Sequence, residues 1–500
     1  MIHEGKKADD FDPATNGNMV DEPEWATEKY AEPKRSRTGG FLRWMFEIMR
    51  PAIFTKSPAR KQQLRRTAYL DGLRGFAAFI VYWHHHQMWP RESIGADIIF
   101  ENAYGFKDKY FMATLPFIRT FFSGGHFAVS IFFVISGYVL STKPLALIYA
   151  SDFEKLGDNL SSALFRRWIR LHVPVMFTTF FYMLSWHLFG IWTASPDHQD
   201  TFRHELWNWY AEFKNFSFVF RTGGVDWFTY SFHTWSIPVE FRGSLIIYTS
   251  LLAFSRCTRN ARLLCQLGLV IYFLYIADGW FGALFVSGML LCDLEMLARN
   301  NDLPQFFTLF ERSKKLLWPA MFLVGIFLGG VPSNSKDMDI LRNSQGWYLL
   351  SFLKPQAVFD PKWFYLFYAG LFIVASTPHL GPIKRFFELR FNQYLGRISF
   401  SLYLIHGPVL WILGDRLYTA VGFHREAHLI HTPEWVDIFP LSHRGPLGLE
   451  FAFLAPHIII LPFTLWLAEV VTKLADEPAV KFSNWLHKRA LGAPPSVLSS

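Results

Sequence analysis

The chain is 500 residues long, 51% hydrophobic and 18% aromatic, with a formal net charge of +8. So apolar a composition at this length argues against a soluble protein, and apolar runs that are continuous rather than alternating argue against a β-barrel. The Lys and Arg residues cluster beside apolar runs, a pattern of membrane topology rather than of nucleic-acid binding.

Residues 1–40 are polar, acidic and then basic, without the apolar stretch that would mark a signal peptide, and read as a disordered cytoplasmic tail. "RTGGFLRWMFEIMR", Arg37 to Arg50, either forms a short amphipathic helix on the membrane surface or continues the tail. Apolar runs long enough to span, or nearly so, then lie around 69–90, 127–145, 171–192, 238–254, 263–277, 279–297, 316–331, 363–378, 396–414 and 447–471. The break between the fifth and sixth, near Asp278-Gly279, is the weakest.

Basic residues fall on alternate loops. Arg60, Lys61, Arg65 and Arg66 precede the first run; Lys155, Arg166, Arg167 and Arg170 stand between the second and third; Arg256, Arg259 and Arg262, then Arg312, Lys314 and Lys315, then Lys384, Arg385 and Arg390 continue the alternation to Lys481, Lys488 and Arg489. With ten runs, all of these share one side. The expected fold class is an all-α, polytopic transmembrane helical bundle of about ten spans with both termini cytoplasmic. Residues 1–65 form its N-terminal tail, 66–475 its transmembrane domain and 476–500 its C-terminal tail. The outer loops 193–235 and 415–446 are long and rich in aromatics, His and Pro. No internal repeat of the kind that builds transporters is visible. Cys257, Cys265 and Cys292 make no disulfide or zinc pattern and are expected as inert, buried thiols.

The first run, "LDGLRGFAAFIVYWHHHQMW", Leu70 to Trp89, keeps an arginine and three histidines where lipid makes them costly. Arg74 and His85 are eleven residues apart, almost three helical turns, so they share one face at a separation of about 16 Å. His84 and His86 point about 100° to either side, so the three cannot converge on one metal. Gly75 and Ala78 lie on the Arg74 and His85 face and would let another helix approach. An intramembrane histidine there is either a functional group or one satisfied by a neighbouring helix.

Several stretches together resemble one family. "YLDGLRGFAAFIVYWHHH" is similar to the first helix of the acyltransferase-3 family of integral membrane acyltransferases, marked by an arginine and, after ten intervening residues, a histidine; Arg74 and His85 fit. "FFVISGYVLS", Phe132 to Ser141, resembles the family's second helix. "FRRWIRLHVP", Phe165 to Pro174, resembles its Arg-x-x-Arg motif, with Arg167 and Arg170 in place. "HTWSIPVEFRGS", His233 to Ser244, is similar to its Trp-Ser-x-x-x-Glu segment and looks most like the fungal branch, with Glu240 at the acidic position. "YLGRISFSLYLIHGPV", Tyr394 to Val409, resembles a late helix. The chain departs in having three consecutive histidines, so His84 is an alternative to His85.

The resemblance implies transfer of an acyl group, often acetyl, from acyl-CoA as co-substrate to a hydroxyl of a carbohydrate, glycolipid or small molecule such as a secondary metabolite. It implies no tightly bound cofactor, no metal and no nucleic-acid partner, and a multi-pass location in an endomembrane or the plasma membrane. A base must take the hydroxyl proton, and His85 suits that task near neutral pH. Glu240 is expected at similar depth, where it could orient the imidazole; the plainer alternative is an interfacial carboxylate paired with Arg242. Arg74, Arg167 and Arg170 are the expected cationic partners of the coenzyme A phosphates at the cytoplasmic helix ends. Trp235, Ser236, Tyr403 and His406 are expected to position substrate; Ser399, Tyr403 and His406 share one helix face. Asp293 and Glu295 are expected to be solvated or paired. His424, His428, His431 and His443 fit no metal spacing and read as surface residues. The rival function is a proton-coupled transporter or permease with Arg74, His85 and Glu240 as its relay.

Overall fold

A computed structural model describes residues 40–51, 64–95, 99–220 and 227–491. Residues 1–39 and 52–63, most of the expected N-terminal tail, and 492–500 at the other end lie outside the described residues. Helices dominate and no strand occurs among the described residues.

The amphipathic segment is a helix, α1 (Gly40–Met49), with Trp44, Phe46 and Met49 exposed. Its carboxyl end is tied down: Lys473 Nζ donates to the carbonyls of Ile48 and Arg50 at 3.2 and 3.0 Å, and Trp466 Nε1 donates to Met49 O at 2.9 Å. A cation at a helix C-terminus satisfies carbonyls that have no partner within the helix.

All ten apolar runs lie on helices: α2 (Ala68–Met88), α3 (Gly125–Tyr149), α4 (Phe153–Phe189), α6 (Ser236–Phe254), α7 (Arg259–Ile271), α8 (Trp280–Arg299), α9 (Lys314–Gly329), α10 (Lys362–Ser376), α11 (Arg390–Val409) and α12 (His457–Val471). An additional helix, α5 (Phe202–Phe216), stands in the long loop after α4, and α13 (Glu477–Ala490) follows α12. Of these, five segments among the described residues are long and apolar enough to cross a membrane by themselves: Gly125–Tyr149, Thr229–Phe254, Trp280–Arg299, Arg390–Ala420 and Phe451–Ala490. The bent pair Lys362–His379 and Gly381–Phe387 would make a sixth. The expectation of about ten spans therefore exceeds what length and apolarity establish. α2 and α4 fall short because each carries the charged and histidine side chains that line the interior.

The arginines of the Arg-x-x-Arg motif are not in a loop, as their alternation with the apolar runs suggested. They lie within α4, one continuous helix of 37 residues, about 55 Å long at its rise per residue. Asp152 caps its start by accepting from Lys155 N at 3.2 Å, and Gly190 ends it in a left-handed conformation. The weak break between the fifth and sixth runs is real. α7 continues through a wider turn, Tyr272–Ile276, and α8 begins at Trp280.

Helices α2 and α11 cross at close range. A Cβ on Gly75 would sit 2.2 Å from Gly396 N, and one on Gly396 would sit 2.4 Å from Asp71 O. Only glycine permits that approach, and it brings the Arg74 and His85 face of α2 against the Tyr403 and His406 face of α11. Large apolar side chains on the far sides of α7 and α12, among them Leu264, Ile271, Ile458 and Ile459, are exposed. Contiguous apolar surface of this kind marks contact with lipid or protein. The three cysteines are unpaired; Cys292 is buried, but Cys265 is exposed on α7, contrary to the expectation of buried thiols.

Candidate active site

The three consecutive histidines diverge as helical geometry requires. His84 faces α3, packed over Gly125 with its Nε2 3.9 Å from Glu101. His86 turns the other way into a buried network: its Nδ1 is 2.8 Å from the Tyr418 hydroxyl, which lies 3.1 Å from His457 Nε2, and the Tyr82 hydroxyl is 2.9 Å from His457 Nδ1. His85, between them, lines a cavity of about 320 Å³.

The cavity floor is a cluster of three imidazoles. His85 stacks on His406 with ring centroids 5.1 Å apart and lies 5.9 Å from His233, while His233 and His406 approach to 4.2 Å. His406 comes from α11 as expected. His233 stands two residues before the Trp of the Trp-Ser-x-x-x-Glu segment, and the sequence assigns it no role. It arrives on a 3-10 segment, Thr229–Trp235, leading into α6. Its position immediately before the motif was the available signal. His233 Nδ1, His406 Nε2 and the indole Nε1 of Trp411 are buried without a hydrogen-bond partner among the described residues. Buried polar atoms left without a partner are costly.

The walls are Met88, Trp89, Phe232, Gly407, Leu410 and Trp411, and Glu92 stands at the mouth. The outer rim is braced by Asp415, which accepts from Trp89 Nε1 at 2.7 Å and from Arg425 Nη2 at 2.9 Å and sits 2.9 Å from His428 Nε2. His428 is thus buried structure rather than a surface residue, and His431 stacks on Trp192. Arg425 also bonds Glu92.

Tyr403 and Ser236 support this floor from below. The Tyr403 hydroxyl donates to the carbonyl of His233, and Ser236 Oγ lies 2.7 Å from it. The two residues expected to position substrate are therefore engaged with the His233 backbone and with each other. Trp235 packs between His126 and Trp363 at 6.3 and 5.7 Å. Ser399 bonds the carbonyl of Gly396 on its own helix.

Glu240 does not meet His85. It lies one turn inside α6, where its Oε1 accepts from Arg167 Nη2 at 2.5 Å and from Ser136 Oγ at 2.8 Å. Arg167 Nε also donates to Ser244 Oγ at 2.8 Å. The expected orientation of His85 by Glu240 is corrected, and so is the alternative pairing with Arg242, whose Nε donates to Val219 O. The physical reason is register: α6 begins at Ser236, so Glu240 presents to α4, while the segment before Ser236 presents to α2. Glu240 remains close enough to Tyr403 to act on it electrostatically.

Arg74 donates to Gly396 O and pairs with Asp71, each at 3.2 Å. Arg74 and Arg170 both act on the buried carboxyl of Asp476. Ser236, Tyr403 and the His233 carbonyl form one bonded group, and Arg167, Glu240, Ser136 and Ser244 form another. Arg166 stands outside both, bonded to Asn484 on α13 at 2.5 Å. Asp293 and Glu295 are paired: the first with Arg262 at 2.7 Å, the second with Arg299 at 2.5 Å. Among the described residues, no three or more His, Cys, Asp or Glu residues group as a metal site.

A family model described as an acyltransferase domain, acyltransferase-3, matches residues 67–467. The chain belongs to that family. It is 30% identical over 487 residues to the O-acetyltransferase PaAT-1 of Phomopsis amygdali, an alignment covering 89% of each chain. It is 22% identical to the acyltransferase clz18 of Cochliobolus lunatus, covering 85% of this chain and 96% of that one. The peptidoglycan O-acetyltransferase OatA of Listeria monocytogenes is 25% identical over 306 residues, 57% of this chain and 45% of the bacterial protein. No solved structure matches. This acyltransferase-3 protein is an O-acyltransferase, and its family and apolar helices make it a membrane protein.

Proposed function

We propose that the enzyme moves an acetyl group from acetyl-CoA to a hydroxyl of a sugar, lipid or small-molecule acceptor, with His85 as the base. The observation that carries this reading is the placement of His85 on the floor of the cavity, beside His233 and His406. His85 takes the acceptor hydroxyl proton as the oxygen attacks the thioester carbonyl. The carbon–sulfur bond breaks, and the leaving thiolate takes the proton back. Neutral imidazole is suited to both transfers.

The donor phosphates would lie at Arg74 and Arg170, and the pantetheine arm would pass Ser236 and Tyr403. Arg167 would act with Glu240 as one unit, the carboxylate setting the direction of the guanidinium. The bundle would use residues 66–475 in about ten crossings, with the tails 1–65 and 476–500 cytoplasmic, so that cytosolic donor serves an acceptor on the outer or lumenal side of an endomembrane or the plasma membrane. The alternation of basic residues supports that orientation.

The test is transfer of label from radiolabelled acetyl-CoA into an acceptor pool by purified enzyme, wild type against His85→Ala. Label transfer that disappears in the variant is expected. Transfer that survives would move the base elsewhere, and a folded protein that neither binds acetyl-CoA nor transfers label would overturn the reading.

A further inference from the structure

We infer that the acceptor is a compact, largely apolar alcohol rather than a free sugar or glycan unit, an inference that rests on the acyl-transfer reading of the same cavity. Its volume, about 320 Å³, is at the small end of ligand cavities, which run from about 300 to 1,000 Å³. The cavity is open on one side, and Trp89, Phe232, Leu410 and Trp411 wall it beside the histidines. Phe232 and Trp411 pack against each other at 5.1 Å, and Trp89 and Trp411 at 6.5 Å, so the wall is continuous.

Aromatic faces alone would also suit a sugar. A sugar ring, however, brings several hydroxyls that need partners once water is excluded, and sites that accept them supply carboxylates or amides. Among the described residues, no Asn, Gln or Asp lines this cavity, and the one carboxylate that does, Glu92, is exposed and bonded to Arg425. The unpartnered polar atoms nearby, His233 Nδ1, His406 Nε2 and Trp411 Nε1, are buried away from the open space. The lining therefore offers the His85 imidazole to one hydroxyl and sets most of the rest of the ligand against aromatic and aliphatic side chains. Apolar pockets discriminate poorly between hydrocarbon skeletons and reject a single added hydroxyl by only about 10²-fold, but a sugar brings several hydroxyls at once.

The test uses full-length enzyme in nanodiscs with radiolabelled acetyl-CoA, following released CoA thiol and labelled product. The acceptors are borneol and farnesol on one side and glucose, N-acetylglucosamine and a muropeptide on the other. The expected result is a kcat/KM at least 100-fold higher for an apolar alcohol than for any of the sugars. Met88 supplies a variant test, because it lies on the wall and is partly exposed. Met88→Gln, of similar volume, is expected to raise the KM for the apolar alcohol at least fivefold, and Met88→Leu to keep it within twofold, both eluting as the wild type does on size exclusion. His85-dependent CoA release with label passing preferentially to a sugar would overturn this inference and leave the acyl-transfer reading standing. No His85-dependent CoA release with any acceptor would overturn both.

Discussion

Arg167 and Glu240 meet at 2.5 Å inside the bundle, with side chains only 13% and 14% exposed. The contact joins α4 to the first turns of α6 and takes in Ser136 of α3 and Ser244 of α6. Attraction between charges in so dry a place is offset by desolvation, so the pair is expected to set the register of three helices more than to add net stability.

Removal of one partner should therefore cost more than removal of both. Glu240→Gln leaves a buried guanidinium uncompensated and should destabilise the protein by about 3–5 kcal/mol. The double variant Arg167→Met, Glu240→Leu should be more stable than Glu240→Gln alone. Thermal unfolding in one detergent checks the order; a double variant less stable than the single one would show that the pair contributes net stability.

The divergence of the three histidines separates their effects. His85→Ala should lower kcat by about 10²–10⁴-fold, the usual worth of a positioned base. His84 faces Glu101 and Gly125, away from the cavity, so His84→Ala should act through packing and keep more activity than His85→Ala. Rates of both variants at matched folded concentration decide between His84 and His85.

Gly407 fixes the place of His233. A methyl there would sit 2.3 Å from His233 Cε1, 2.7 Å from its Nδ1 and 2.9 Å from Trp411 Cη2. Gly407→Ala should displace the imidazole and the indole together, lowering activity at least tenfold while helix content by circular dichroism stays unchanged. Gly268 on α7 has nothing within 4 Å of its missing Cβ, so Gly268→Ala should be neutral in activity and raise stability by up to about 1 kcal/mol.

Lys473 holds the end of α1 through the carbonyls of Ile48 and Arg50 and also pairs with Glu469 at 2.9 Å. Lys473→Met should loosen α1 and speed tryptic cleavage at the exposed Arg43 within it in proteoliposomes. An unchanged rate would mean that the exposed apolar face of α1, through lipid contact, is sufficient to hold it.

Much of the architecture was legible because its causes are local. Each apolar run is a helix, and the 3.6-residue period correctly divided His84, His85 and His86 among three directions. The small residues on α2 correctly marked a close crossing, which proves to be with α11. The site was only partly legible. His85 and His406 share a cavity, but the carboxylate assigned to His85 belongs to Arg167, and His233 took its place beside the ring. Sequence motifs place residues along a helix; they do not say which neighbour the helix turns them toward.

The sequence by itself determined an all-helical membrane fold with Arg74 and His85 on one face, because run length, charge alternation and helical period act within a few residues of each position, while its resemblance to a family implied acyl transfer. Only the tertiary structure decided that Arg167 takes Glu240, that three histidines from separate segments close one floor, and that the walls beside them are aromatic. Those outcomes depend on how closely glycine-bearing helices cross and where each helix begins, and such contacts join residues as far apart in sequence as Arg74 and Gly396.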